Sequence, residues 1–318
     1  MKLRTEPLAV RYERNPILTG RDFPAGSGIV RVFNSGVIKW GERYIMACRA
    51  EDAALWNYVW IAESRDGYQF KPRPHPVKLP YDDPLFAEYT ASMIYDPRIT
   101  EIEGVFYIVH AAHSGHGCRL SLLKTLDFER FDWLGFISET DNRNGVLFPE
   151  KIGGRYARLD RPNVPGSAAD MWLSWSPDLL HWGDARCVLR KEQVHWAWTK
   201  IGPGAVPIRT PAGWLNIFHG VRTQCASHYV YQLGVCLHAL DDPARIIGLC
   251  EEPVLFPQEP YELVGQTPSV VFTGGAVCEP DGEIKIYYGG ADTVQCVALS
   301  SVDRLVEACV KGKRGRRF

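Results

Sequence analysis

Several features that would point directly to a function are missing from this 318-residue sequence. It has no Gly-rich phosphate loop of the Walker type, no G-x-S-x-G nucleophile elbow and no C-x-x-C pair. No apolar run approaches the length of a membrane span, and charges occupy the amino-terminal segment where a signal peptide needs apolar residues. We therefore expect a cytoplasmic protein that does not act at a membrane.

A strong charge of either sign is also lacking, because 36 Lys and Arg face 37 Asp and Glu, a formal net charge of −1. This balance argues against a global attraction to nucleic acid, so any anion that binds is expected to be small. Residues 311–318 form a basic tail, for which a solvated end is expected and nucleic-acid binding is the alternative. The nine cysteines are odd in number and scattered. We expect most of them to be reduced and buried.

What the sequence does contain is a repeat. A glycine opens an alternating apolar segment five times, and each segment leads to a small residue followed closely by an aspartate. The glycines are Gly41, Gly104, Gly154, Gly213 and Gly282, and the aspartates are Asp66, Asp127, Asp178, Asp241 and Asp303. The aspartates are 61, 51, 63 and 62 residues apart, which is enough for a four-stranded sheet in each unit. Five such units predict an all-β fold, a five-bladed β-propeller.

The segments after the glycines are rich in β-branched and aromatic residues, as strands prefer. Convincing helical periodicity is scarce and is confined to residues 303–308. We therefore expect one domain over residues 1–310. An all-β sandwich with coincidental spacing is the alternative.

A propeller brings one loop of each blade to the mouth of its central channel. In each unit the repeat places polar residues there: Arg49 and Glu51, His110 and His113, Asp160 and Arg161, His219, and Asp292. Arg143 and Asn144 precede a short apolar run, so they present a planar cation and an amide at a strand entrance, which suits an anion. We expect Arg155 and Arg158, farther along the same stretch, to face solvent.

Successive motifs of the chain resemble those of the β-mannoside phosphorylases of glycoside hydrolase family 130, in the same order. They are Asn34-Ser35-Gly36, Arg49-Ala50-Glu51, Asp96-Pro97-Arg98, Asn142-Arg143-Asn144-Gly145, Ser176-Pro177-Asp178, Lys200-Ile201-Gly202, Gly213-Trp214-Leu215, Phe218-His219-Gly220 and Tyr287-Tyr288-Gly289-Gly290-Ala291-Asp292. The resemblance runs from about Arg14 to about Leu305. It implies a five-bladed propeller, in agreement with the repeat.

The resemblance also implies a reaction. Inorganic phosphate would cleave a β-mannosidic bond with inversion, giving α-mannose 1-phosphate, with β-1,4-linked manno-oligosaccharides or mannosyl-glucose as substrates. Phosphate is then a co-substrate, and no cofactor or metal is required. A hydrolase of the same family and a non-catalytic propeller that only binds sugar are the alternatives. The resemblance is compatible with a homo-oligomer.

Roles for individual residues follow from the same resemblance. Asp96 matches the catalytic aspartate, whose proton is thought to pass through the mannose 3-hydroxyl. The phosphate-binding positions are matched by Arg143, Asn144, Lys200, His219 and Tyr231. Sugar-binding positions are matched by Asn34, Ser35, Arg49 and Asp292, and Tyr95 is the candidate stacking platform beside the acid.

His110, His113 and His116 are spaced three apart, which invites comparison with a zinc site. Residues three apart on a strand point to opposite faces, and no cysteine or carboxylate nearby completes a ligand set, so we disfavour zinc. The segment also departs from the family, which usually has an aromatic residue and a threonine where Val109 and His110 stand.

Overall fold

The computed structural model describes residues 7–163, 169–224 and 228–312. Its strands form five antiparallel sheets arranged as the blades of a propeller. The prediction of an all-β, five-bladed propeller is thereby confirmed, and the sandwich alternative is wrong.

The chain first forms a short strand, β1 (Val10–Arg11), which belongs to the last blade. Blade 1 contains β2 (Ile29–Trp40), β3 (Arg43–Asp52), β4 (Asn57–Ser64) and β5 (Lys71–Pro72). Blade 2 contains β6 (Met93–Ile102), β7 (Val105–Ser114), β8 (Gly117–Thr125) and β9 (Asp132–Phe136). Blade 3 contains β10 (Asn142–Leu147), β11 (Tyr156–Pro162), β12 (Met171–Ser176) and β13 (Gly183–Leu189).

Blade 4 contains β14 (Lys200–Pro203), β15 (Ile208–Thr210), β16 (Gly213–Gln224), β17 (His228–His238) and β18 (Ile246–Leu249). Blade 5 contains β19 (Val271–Cys278), β20 (Glu283–Gly290) and β21 (Val294–Ser301), with β1 as its outer strand. The α-helices are α1 (Pro84–Tyr89), α2 (Pro260–Leu263) and α3 (Val302–Gly312). None of these helices, nor any other in the described part of the chain, is long and apolar enough to cross a bilayer.

The five repeat glycines all lie at the hairpin between the first long strands of a blade. Their φ angles are positive: Gly41 59°, Gly104 79°, Gly154 77°, Gly213 143° and Gly282 87°. An added Cβ would meet nothing within 4 Å at four of them, Gly213 being the exception. At those four positions glycine is therefore required by backbone conformation rather than by lack of space.

The repeat aspartates form the same turn in blades 1 to 3, after the third strand. In blade 1, Ser64 Oγ accepts from the N–H of Gly67, while Asp66 Oδ1 accepts from the N–H groups of Tyr68 and Gln69, both at 2.8 Å. Equivalent bonds form at Asp127 and Asp178. These side chains satisfy the backbone of the turn, which explains why the repeat is visible in the sequence.

The fifth aspartate, Asp303, lies instead in the first turn of α3, where a negative charge is favourable. The predicted helix is confirmed and extends to Gly312, so the first two residues of the predicted tail belong to it. Residues 313–318 lie outside the described part of the chain.

Apolar side chains fill the spaces between neighbouring blades. Between blades 3 and 4, for example, Leu159 and Leu173 pack in one cluster with Ile201, Trp214 and Phe218. Cys48, Cys118, Cys236, Cys250, Cys296 and Cys309 are buried, whereas Cys187 and Cys278 are exposed. Because the core lies between the blades, the strands nearest the axis are free to carry polar residues.

The ring of blades closes by pairing β1 with β21, and an ion pair reinforces this closure. Arg11 donates from Nε and Nη2 to the two carboxylate oxygens of Glu262, at 2.7 and 2.8 Å. Glu262 is fully buried and also accepts from Tyr288 Oη at 2.8 Å. β1 is thus joined by charge-assisted bonds to α2, the helix that precedes blade 5.

We expect Arg11→Ala to lower the free energy of unfolding by about 2 kcal/mol, because a buried carboxylate would keep only its neutral donors. Urea unfolding at neutral pH measures this loss. Arg14→Ala is the control, since the Arg14 side chain is 74% exposed in its pair with Glu13. An equal effect in the two variants would contradict this account of the closure.

Candidate active site

Three consecutive blades carry the same irregularity in their innermost strand. A β-bulge interrupts β2, β6 and β10, and its residue has positive φ: Asn34 (51°), Asp96 (52°) and Asn144 (60°). Each such backbone costs roughly 1–3 kcal/mol for a non-glycine residue, and it commonly marks a functional position. The repeated bulge directs three polar side chains toward the axis from equivalent positions.

The carboxylates of Asp96 and Asp292 share Asn34 as a hydrogen-bond donor. Asn34 Nδ2 lies 3.2 Å from Asp96 Oδ1 and 3.5 Å from Asp292 Oδ1. Arg49 Nη1 donates to the same Asp96 oxygen at 3.0 Å. Asp96 is only 6% exposed. Blades 1, 2 and 5 therefore supply one cluster, and the residues predicted as acid and sugar ligands are together in it.

The charge of Asp292 is disfavoured in this cluster. Burial raises its pKa above the ordinary value, the Arg49 guanidinium opposes that rise, and Asp96 adds to it. Asp292 thus holds its proton to higher pH than a solvated aspartate. Carboxyl groups of this kind can donate to or accept from sugar hydroxyls.

Cations gather on the other side, in blades 3 and 4. Arg161 Nη1 donates to His219 Nε2 at 2.8 Å, and both residues are buried. Burial, followed by the charges of Arg161 and Arg98, lowers the pKa of His219 well below its ordinary value. His219 is therefore neutral at pH 7, with Nε2 accepting from Arg161 and the proton on the buried Nδ1.

Lys200 belongs to the same cationic cluster. Burial lowers its pKa, and the charges of Arg161 and Arg143 lower it further. Arg143 is paired with Asp141 at 2.9 Å. Within residues 7–163, 169–224 and 228–312, neither Lys200 nor Arg161 has a carboxylate ion-pair partner within 4 Å. Such uncompensated, partly buried cations are suited to an anion with several oxygens.

Two arginines of the site are absent from the predicted ligand set. Arg98 is 1% exposed and donates to the carbonyl oxygens of Gly204 (2.7 Å) and Asp96 (3.0 Å). Burial lowers its pKa to about 10. The other is Arg161. Arg98 is the last residue of the acid motif and Arg161 is itself a predicted channel-mouth residue, so both positions were visible in the sequence.

Some predicted ligands have a different environment from the one expected. The Ser35 hydroxyl is fully buried, and its backbone N–H donates to Gln295 Oε1 at 3.2 Å. Tyr95 is 9% exposed, its hydroxyl lies 3.2 Å from Cys118 Sγ, and its ring packs against the Arg49 guanidinium. Ser35 and Tyr95 therefore support the cluster rather than present open polar or aromatic surface.

Tyr231 and Asn144 border the cationic cluster. The Tyr231 ring lies 6.4 Å from that of His219, and burial raises its pKa. Asn144 is 3% exposed, and its Oδ1 has no hydrogen-bond partner among the described residues. Their role in binding an anion stays a prediction.

The expectation that Arg158 faces solvent is wrong. Arg158 is 2% exposed and pairs with Asp160 at 2.8 Å inside blade 3, where its guanidinium also covers the Trp182 ring. Arg155 is exposed, as expected. Arg155 lies in the turn before β11, whereas Arg158 lies within β11, a strand that is covered on both faces.

The three histidines of blade 2 do not converge. His110 is 1% exposed, and neither ring nitrogen has a partner in the part of the chain that the structure describes, while His116 pairs with Glu88 at 3.0 Å. No group of three or more potential metal ligands occurs in the described residues. On one side of β7, His110 is paired with Ser121 on β8. On the other side, its two neighbours on β7 pair with the residues of β6 that flank the bulge at Asp96.

His110 gives a pH dependence that can be measured. Burial lowers its pKa to about 4, so the unfolded chain takes up a proton below about pH 6.5 that the folded chain refuses. Stability is therefore lost as pH falls from about 6.5 toward 4. We expect His110→Leu to lose about 2 kcal/mol less than the wild type between pH 7.5 and pH 5 in urea unfolding. Parallel pH profiles would contradict this assignment.

Comparison with known proteins agrees with the geometry. A family model described as β-1,4-mannooligosaccharide phosphorylase matches residues 4–311. The chain is 33% identical over 304 residues to the β-1,4-mannooligosaccharide phosphorylase of Ruminococcus albus, covering 93% of this chain and 89% of that protein. It is 31% identical to the 4-O-β-D-mannosyl-D-glucose phosphorylase of Bacteroides fragilis, covering 96% and 81% of the two chains.

The structure is similar to that of the β-1,2-mannobiose phosphorylase from Listeria innocua, solved in complex with β-1,2-mannobiose. The TM-score is 0.85 at 28% identity, and the match covers 95% of this chain and 99% of the other. The family match, the two relatives and the common fold all extend over nearly the whole chain. The chain therefore belongs to glycoside hydrolase family 130.

Proposed function

We propose that this protein cleaves β-mannosides by inverting phosphorolysis and releases α-mannose 1-phosphate. The observation that carries the proposal is the pairing of a buried carboxyl cluster with uncompensated cations across the axis. An inverting hydrolase needs two carboxyl groups, one as acid and one as a base for water. Phosphate is already a charged nucleophile, so a phosphorylase needs one acid and a cationic site.

In this proposal Asp96 is the general acid, and its proton reaches the glycosidic oxygen through the mannose 3-hydroxyl. Arg143, Arg161 and Lys200 hold the phosphate, and His219 completes the site beside Arg161. Asn144 and Tyr231 border the same site. The neutral imidazole accepts from Arg161 and so orients that guanidinium, which supports a role for both residues in one site.

Asn34, Arg49 and Asp292 hold the mannosyl unit beside the acid. Asn34 and Arg49 contact Asp96, and Asn34 also lies against Asp292, so a sugar bound to them has its hydroxyls next to the Asp96 carboxyl group. We propose β-1,4-linked manno-oligosaccharides or mannosyl-glucose as substrates. The description of the family model and the names of the two relatives support this choice, whereas the Listeria relative is named for a β-1,2 linkage.

The first test is incubation with β-1,4-mannobiose, β-1,2-mannobiose or mannosyl-glucose, with and without inorganic phosphate. We expect mannose 1-phosphate only when phosphate is present. Free mannose, with no mannose 1-phosphate and at the same rate without phosphate, would instead indicate a hydrolase. No product from any of the three sugars would favour a propeller that only binds sugar.

We expect Asp96→Asn to lower kcat by about 100- to 10,000-fold, because the variant lacks the transferable proton. Phosphate binding, followed by calorimetry, should be nearly unchanged, since the cations lie in other blades. Loss of phosphate binding together with activity would argue that Asp96 is structural rather than catalytic.

We expect Arg143→Ala to raise the KM for phosphate by about 10- to 100-fold, because a charge-assisted contact with the nucleophile is removed. Arg155→Ala is the matched control, since Arg155 is an exposed arginine on the outer part of the same blade, paired with Asp184. Initial rates over a range of phosphate concentrations give both values. An unchanged phosphate KM in Arg143→Ala would remove this residue from the phosphate site.

A further inference from the structure

A row of polar side chains crosses blade 1 and ends at Asp96. Arg31 on β2 pairs across the sheet with Glu51 on β3, and Glu51 pairs with Asn57 on β4. Arg49 lies two residues before Glu51 on the same strand, so both side chains are on one face of the sheet. We call Arg31, Glu51, Asn57 and Arg49 the blade 1 relay.

Continuous hydrogen bonds connect the relay. Arg31 Nη1 donates to Glu51 Oε1 at 2.9 Å, and Asn57 Nδ2 donates to Glu51 Oε2 at 3.3 Å. Arg49 Nε donates to Asn57 Oδ1 at 2.7 Å, and Arg49 Nη1 donates to Asp96 Oδ1 at 3.0 Å. Each member is therefore bonded to the next, from Arg31 on β2 to Asp96 on β6.

The chemistry of the relay allows only one orientation of the Asn57 amide. Glu51 is 2% exposed and is bonded as a carboxylate to Arg31, so it accepts and the amide nitrogen of Asn57 must face it. Arg49 only donates, so the amide oxygen must face Arg49. Arg31, whose side chain is 28% exposed, balances the charge of Glu51. A buried carboxylate without such partners would be costly.

The Arg49 guanidinium is restrained on its edge and on its faces. Asn57 holds its Nε edge, and the Phe33 and Tyr95 rings lie 4.3 and 5.1 Å from the guanidinium carbon. Rotation about the last side-chain bonds would break the Asn57 bond or the ring contacts. Nη1 is consequently directed at Asp96.

We infer that Glu51 and Asn57 are positioning residues for catalysis, acting on Asp96 and the mannosyl unit only through the orientation of Arg49. The inference rests on the proposed role of Asp96 as the general acid. The Arg49 guanidinium, held by the Asn57 amide and the buried Glu51 carboxylate, determines where the acid and the sugar hydroxyls meet. Displacements of about 1 Å at such a point commonly cost 10- to 100-fold in rate.

Asn57→Ala removes the acceptor for Arg49 Nε, and Glu51→Ala removes the group that orients the amide. We expect either variant to lower kcat by about 10- to 100-fold while the KM for phosphate stays unchanged, because no relay residue contacts the cationic cluster. Glu51→Gln keeps an oxygen for the Asn57 amide and is expected to retain most of the activity. If Asn57→Ala does not fold, the Glu51→Ala and Glu51→Gln pair makes the same comparison.

Tyr58→Phe is the matched control. Tyr58 is the next residue on β4, and its hydroxyl donates to Asp52 at 3.1 Å, so the variant loses one hydrogen bond without contacting Arg49. We expect its kcat to equal that of the wild type. Equal kcat in Asn57→Ala and Tyr58→Phe would overturn the inference, as would a parallel change in phosphate KM.

A second measurement is independent of activity. In ¹⁵N-arginine-labelled protein, the Nε–H signal of Arg49, assigned with Arg49→Lys, should exchange slowly with water in the wild type and in Glu51→Gln. It should exchange rapidly in Asn57→Ala. Persistent protection in Asn57→Ala would overturn the relay itself. If the wild type cleaves no β-mannoside, the proposed function fails, and the exchange data still decide whether the relay restrains Arg49.

Discussion

The arrangement of the site depends on how closely the innermost strands approach one another around the axis. A Cβ added to Gly289 would lie 2.3 Å from Asn34 Oδ1, and one added to Gly202 would lie 2.9 Å from His219 Cε1. Glycine at position 289 lets the backbone of blade 5 touch a side chain of blade 1, and glycine at position 202 leaves room for the His219 ring within blade 4. Because Asn34 lies directly against Gly289, its amide reaches Asp96 in one blade and the end of β20 in another.

Charge compensation distinguishes the site from the rest of the interior. Elsewhere, buried cations have carboxylate partners: Arg158 with Asp160, and Arg11 with Glu262. In such pairs the carboxylate offsets the desolvation cost of the buried cation, so no unpaired charge remains to attract a ligand. Lys200 is partly buried and Arg161 is buried, and neither has a carboxylate within 4 Å among the described residues. The desolvation cost of these two cations is therefore not offset in the free protein, and a bound anion would offset it.

The fold was predictable because its periodic signals arise from local backbone chemistry. The glycines need positive φ, and turn residues such as Asp66 satisfy neighbouring N–H groups, so both kinds of residue recur in the sequence. Asp96 and Asn34 were placed correctly near the axis, although their catalytic and binding roles stay predictions. Arg158 was placed wrongly, since a lone arginine is usually exposed and only the packed face of blade 3 decides otherwise. The contact of Arg161 with His219 joins two blades and left no local signal.

The two halves of the site are supplied by different blades, so their separation must be maintained across the axis. Blades 1, 2 and 5 provide the carboxyl cluster, and blades 3 and 4 provide the cations. Arg98 links the halves, because it donates to the backbone carbonyl of Asp96 on its own strand and to that of Gly204 in blade 4. A planar guanidinium with a fixed spacing between its donors holds two backbones at a defined distance, which a flexible ammonium group would not. The separation between Asp96 and the cations of blades 3 and 4 is therefore a property of the backbone linkage, and the side chains around it can vary while that separation is kept.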